Sequence, residues 1–157
     1  MLQYLYMTLF CAGVVTIDQL TKAWVVNHIP PDIPVWEGVF HLTFTKNTGA
    51  AFSSFEGQHW LFVLVLVGFL AFIIWEFPKK RMGFTTLERW LLVSIFAGGV
   101  GNMIDRLRLG YVVDMIEVDF MRFAVFNVAD IFITCGCFLL IAHLIFFNKS
   151  FWKEEKK

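Results

Sequence analysis

The chain has 157 residues, one domain in length, and 58% of them are hydrophobic, with a mean hydropathy of +0.67, well above soluble globular domains. Its 13 Lys and Arg balance its 13 Asp and Glu, and without a basic excess the composition argues against a nucleic-acid partner. The aromatic share of 18%, with 19 Phe, suits lipid contact and interfacial belts.

Four apolar runs can be traced, about 2–26, 60–77, 87–104 and 128–147; a bilayer core of about 30 Å takes roughly 20 helical residues. They predict an all-α membrane protein of four transmembrane helices with a small extracytoplasmic β-sheet, one integral membrane domain over 1–157. A cleaved signal peptide is the competing reading of the first run, but no Lys or Arg precedes it and no small-residue cleavage site closes it. Pro30, Pro31 and Pro34 are expected to end the first helix, and Pro78 the second. After the first helix, Phe40, Leu42 and Phe44 alternate with His41, Thr43 and Thr45 in the period of a half-buried strand. Residues 112–120, which follow Gly110, are extended in pattern and are expected to pair with it. Cys11, Cys135 and Cys137 fall inside helices and read as core packing. Gly98, Gly99 and Gly101 in the third helix read as close helix contact.

Four spans put both termini on one side. Lys79, Lys80, Arg81 and Arg89 flank the second connection, and Lys149, Lys153, Lys156 and Lys157 form the tail; the other side has Lys46, Arg106, Arg108 and Arg122, with Lys22 near that end of the first helix. The excess predicts cytoplasmic termini, with 27–59 and 105–127 outside.

Ionisable residues in a membrane helix are costly and mark function by default. The first helix carries Asp18, Gln19, Thr21 and Lys22 in its outer third, the third ends in Asn102, Asp105 and Arg106, and the fourth opens with Asn127 and Asp130. Alternating helix direction brings all of them to one depth near the outer face, where Asp114 and the segment 47–52 can join them. Structural accounts exist for some: an i to i+4 surface ion pair for Asp18 and Lys22, a helix N-cap for Asn127 with Asp130 in the favoured first turn, a neighbour pair for Asp105 with Arg106, and an interfacial charge for Glu76. None explains Asp114 beside Asp130, two carboxylates that repel unless they share a proton. His28, His41, His59 and His143 lack ligand spacing, so no metal site is expected. Ser53, Ser54 and Ser94 have no partner arrangement for a serine nucleophile. A small proton-coupled transporter is the competing class, although its acids would sit near the bilayer midplane with broken helices and repeats. A non-enzymatic scaffold leaves Asp114 and Asp130 unexplained.

These groups resemble the signature blocks of the lipoprotein signal peptidase (signal peptidase II) family. The blocks are Asp18, Gln19, Thr21, Lys22; Asn47, Gly49, Ala50, Ala51, Phe52; Gly101, Asn102, Asp105, Arg106; Gly110, Val112, Asp114; and Phe126, Asn127, Ala129, Asp130. The resemblance implies a catalytic dyad of Asp114 and Asp130. It implies that Asn47, Gly49, Asn102, Asp105, Arg106 and Asn127 support the site or bind substrate, with Asp18 and Lys22 shaping it. It further implies a membrane-held prolipoprotein substrate cut just before a cysteine bearing diacylglycerol, contact with membrane lipid, a monomeric enzyme without cofactor, and a bacterial cell membrane location with the site at the extracytoplasmic face.

Overall fold

Four long helices and one small sheet make up the computed structural model, which describes residues 1–29, 32–49 and 59–148. In chain order they are α1 (Leu2–His28), β1 (Ile33–Trp36), β2 (Phe40–Asn47), α2 (His59–Lys79), α3 (Thr86–Leu109), β3 (Val112–Val118) and α4 (Val128–Phe146). Each helix boundary has a local cause. Ile29, which precedes Pro30, is extended, as the ring of a following proline requires. A reciprocal capping box of Thr85 and Glu88 starts α3, and Gly110 stops it at φ +79, a left-handed conformation glycine adopts freely. A second capping box, Asn127 with Asp130, starts α4.

Among the described residues three helices, Leu2–His28, Trp60–Lys79 and Val128–Phe146, are long and apolar enough to cross a membrane. Their outward faces carry large hydrophobic side chains such as Leu9, Leu64, Val67, Phe138 and Ile141, the expected pattern for segments whose solvent is lipid. The mostly helical fold with three such spans marks a multi-pass membrane protein. α3 carries Glu88, Arg89, Asp105, Arg106 and Arg108 near its ends and packs against α1, α2 and α4. Two glycines permit the closest approaches. A Cβ on Gly98 would lie 2.5 Å from the Ala129 carbonyl oxygen, and one on Gly101 would lie 2.5 Å from Asp18 Oδ2. Bare backbone therefore lets α3 lie directly against α4 and α1.

The sheet is antiparallel with order β1-β2-β3, so the expected pairing of the two longer strands occurs. Thr45 opposes Asp114 and Asn47 opposes Val112, with an irregularity between Leu42 and Thr45. Val112, Val113, Asp114 and Met115 are buried; Val113 and Met115 pack with Val25 and Ile29 at the end of α1. This seats the sheet on the helices and carries Asp114 inward. A second apolar cluster, Met7, Ile73, Phe77, Leu92 and Val93, closes the opposite end.

Several expectations need correction. The helix α2 runs through Pro78 and ends one residue later, at Lys79. Pro34 lies within β1, a strand the sequence pattern did not suggest; β1 is an edge strand, where a missing N–H is tolerated. The alternation expected along 40–45 gives no clean two-sided burial. Glu76 is fully buried rather than interfacial, because the chain folds back and the Met82 N–H donates to its Oε1. Cys135 is exposed on α4 and is not core.

Candidate active site

The site forms where α1, α3 and α4 meet beneath the sheet. Lys22 is its buried hub: Nζ donates to Asp18 Oδ2 at 2.9 Å, to Asp105 Oδ2 at 3.0 Å and to Asn102 Oδ1 at 2.8 Å. These three acceptors use all the donors of an ammonium group. The carboxylates are fastened in turn. The Ala129 N–H donates to Asp18 Oδ1, placing a negative charge at the positive end of α4. The Val113 N–H donates to Asp105 Oδ2, tying β3 to α3. Gln19 Nε2 donates to Asp105 Oδ1 at 2.9 Å and to the Gly101 carbonyl at 3.1 Å.

From that hub the amide orientations follow. Asn102 accepts from Lys22 through Oδ1, so its Nδ2 faces Asp130 and donates to Oδ1 at 2.8 Å. Asn127 caps α4 by accepting the Asp130 N–H through Oδ1. Its Nδ2 is therefore directed to Asp114 Oδ1 at 2.6 Å and Asn102 Oδ1 at 3.1 Å. The remaining oxygens are also held: Asp114 Oδ2 accepts from Asn47 Nδ2 at 2.9 Å, and Asp130 Oδ2 accepts from the Asn127 N–H at 3.1 Å. Two carboxylates on different elements are thus linked through one pair of asparagines.

Both Asp114 and Asp130 line a cavity of about 510 Å³, shared with Asn47, Asn102 and Arg106 and otherwise bounded mainly by apolar side chains of α2, α3, α4 and 123–126. Burial raises the Asp114 carboxyl from its ordinary 3.8 to about 6; the charge of Asp130 adds to this, while the Asn47 and Asn127 hydrogen bonds pull it back. A carboxyl with that affinity can hold a proton near neutral pH. Arg106 lies over the Phe62 ring at 4.2 Å, and its Nη2 donates to the Gly49 carbonyl at 2.7 Å.

The model of the family described as Signal peptidase (SPase) II matches residues 10–146. The chain belongs to the signal peptidase II family. Two proteins of Streptococcus pyogenes named lipoprotein signal peptidase agree with it. That of serotype M2 (strain MGAS10270) is 43% identical over 146 residues, spanning 90% of this chain and 89% of its own. That of serotype M5 (strain Manfredo) is 42% identical over the same shares. Among solved structures, a bacterial membrane enzyme determined by the in meso method at 2.3 Å resolution superposes with a TM-score of 0.82 at 28% identity, covering 97% of this chain and 93% of that one. A second, at 1.9 Å, gives 0.78 at 27% identity, covering 91% and 94%. Membership of signal peptidase II makes the chain a membrane aspartic peptidase that removes signal peptides from lipoprotein precursors.

Against this family frame, the predicted residues divide into two layers. Asn47, Asn102, Arg106, Asp114 and Asp130 face the cavity, whereas Asp18, Lys22, Asp105 and Asn127 sit behind it in the hydrogen-bond network and Gly49 contributes backbone. Ala50, Ala51 and Phe52 of the second block lie outside the described residues. The pairing expected between Asp105 and Arg106 is replaced by one between Asp105 and Lys22, since helix neighbours point in different directions. The Asp18–Lys22 pair is present, but it is buried rather than on the surface. Gln19, grouped with the outer polar residues in the sequence, had no role of its own there. Its amide joins α1 to α3, and the signal for it was an uncharged polar residue on the same membrane helix as Asp18 and Lys22. Phe62, beneath Arg106, had no signal within an unbroken apolar run.

Proposed function

We propose that Asp114 and Asp130 are the catalytic dyad of this peptidase, and that its substrate is a diacylglyceryl-modified prolipoprotein cut just before the lipidated cysteine. One observation carries the dyad: the two carboxylates open onto one cavity while an asparagine pair links them from behind. Close carboxylates share one proton. The ionised member takes a proton from water as the oxygen attacks the scissile carbonyl, and the protonated member donates its proton to the carbonyl oxygen; as the intermediate collapses, the first carboxyl passes the proton it took to the departing amine and the second recovers its own from the hydroxyl of the intermediate. The two titrate as a pair, with apparent constants that belong to both.

The remaining roles follow from position. Asn47, Asn102 and Asn127 hold the carboxylates; Asp18, Lys22, Gln19 and Asp105 hold the asparagines and the helix ends; Arg106 and Gly49 shape the cavity rim where peptide would lie. We read α3 as the fourth span, since residues 90–104 are uncharged and the charges at its ends are largely paired internally. The dyad lies at the end of the helices opposite Lys79, Lys80 and Arg81, so the positive-inside bias supports cytoplasmic termini and an extracytoplasmic site. The apolar cavity supports direct contact with membrane lipid, and the family resemblance is the ground for reading the enzyme as a monomer.

Purified protein incubated with a diacylated prolipoprotein and with its unlipidated form should shorten the lipidated form alone. Equal cleavage of both would overturn the substrate assignment. Near-normal cleavage by folded Asp114→Asn or Asp130→Asn protein would overturn the dyad.

A further inference from the structure

The middle one of the three α3 glycines, Gly99, differs from the other two. A side chain at Gly98 would strike the Ala129 backbone, and one at Gly101 would strike the Asp18 carboxylate, so packing accounts for both. A Cβ at Gly99 would meet only Leu66 Cδ1, at 3.0 Å, the movable end of a flexible side chain. Packing therefore does not demand glycine at 99. The position is half-buried and lines the cavity, with Leu66 of α2 lying directly against it.

From the dyad the cavity runs along α3 from Asn102 past Gly99 to Ile95, a depth of about 10 Å at 1.5 Å per residue. Around the dyad its lining is polar. Below Asn102 it is made by Val65, Leu66, Phe69, Ile95, Gly99 and Ile133, with Thr134 as the polar exception. A peptide backbone placed there would leave its N–H and C=O groups without partners at membrane depth, at a cost of several kcal/mol per group. A saturated hydrocarbon chain has no such groups and gains from every apolar contact.

We infer that this lower part of the cavity is a groove for an acyl chain of the substrate, and that the bare Gly99, with Leu66 beside it in the same wall, sets its width and so determines which chains the enzyme accepts. The inference rests on the lipidated substrate proposed above. Gly99 in this account is a specificity determinant, set below the reacting atoms.

The test uses one prolipoprotein peptide carrying either a dipalmitoyl or a dioctanoyl glyceryl group, alongside the unlipidated peptide, with purified full-length enzyme. The readout is the ratio of kcat/KM for the long-chain substrate to that for the short-chain substrate. Gly99→Leu should lower this ratio at least about tenfold, as misfit by a few methylenes does in hydrophobic pockets, and Gly99→Ala should lower it less. Adding Leu66→Ala to Gly99→Leu should return the ratio toward that of the parent. Leu66→Phe, which narrows the groove from α2 and leaves α3 intact, should lower it independently. An unchanged ratio in Leu66→Phe and in folded Gly99→Leu, from an enzyme that demands the lipid, would overturn the groove alone. Cleavage of the unlipidated peptide as efficient as that of either lipidated one would overturn the underlying substrate assignment, and the groove with it.

Discussion

Replacing Asp114 with Asn should change stability in a direction that depends on pH. The folded protein holds the Asp114 carboxyl at about 6 against an ordinary 3.8, chiefly through burial. At 1.36 kcal/mol per pH unit, that gap corresponds to about 3 kcal/mol. Because the folded value is the higher one, the favourable contribution is complete below about pH 4 and is lost as pH rises through about 6. Asn removes the charge, but it offers one acceptor where the carboxylate serves both Asn127 Nδ2 at 2.6 Å and Asn47 Nδ2 at 2.9 Å. Turning one amide donor against another costs about 1–3 kcal/mol. The variant should therefore be less stable than its parent near pH 4 by about that amount, and equal or more stable by up to about 2 kcal/mol near pH 8, once the ionised parent carries its full penalty. Thermal unfolding in detergent, followed through the 6 Trp at both pH values, measures the difference. A change in Tm of the same sign and size at both would refute the reasoning.

Other variants probe the network behind the dyad. Lys22→Met strands two buried carboxylates, Asp18 and Asp105, and should cost about 3–5 kcal/mol; an unchanged Tm would contradict the hub. Asn127→Ala removes both a helix cap and the amide donor to Asp114, lowering stability by about 0.5–2 kcal/mol along with activity. Asn127→Ser keeps a capping oxygen and should regain much of the stability without regaining cleavage, measured on the same preparation. Gly98→Ala drives a methyl into the Ala129 carbonyl and should cost about 1–3 kcal/mol, whereas Gly99→Ala should cost less because Leu66 can turn aside; their relative Tm values check this.

Much of this architecture is legible in the sequence because a bilayer leaves few options. An apolar run long enough to span must be helical, so the limits of α1, α2 and α4 follow within a few residues from apolar length, and Asp18, Lys22, Asn102 and Asp130 stand out against it. The Asn127–Asp130 capping box is legible for the same reason, being a local pattern. What is not legible is tertiary. Lys22 and Asp18 have a spacing that predicts an ion pair, but nothing local reveals that Asp105 arrives from α3 as the third member. Arg106 finds Gly49 and Phe62, both supplied by elements distant in sequence. Glu76 is buried by a turn that follows it. Pro34 disguises β1 because proline ordinarily signals an interruption, and only the position at a sheet edge makes it compatible with a strand.

The most direct measurement is the single-turnover cleavage rate of a lipidated precursor by Asp114→Asn, Asp130→Asn and the double variant, each verified as folded. Groups that act as one unit are strongly non-additive. Each single replacement should therefore lower the rate by about a thousandfold or more, and the double should lower it no further. Losses that multiply in the double variant, or a single variant retaining a rate close to the parent, would contradict a shared-proton dyad of Asp114 and Asp130.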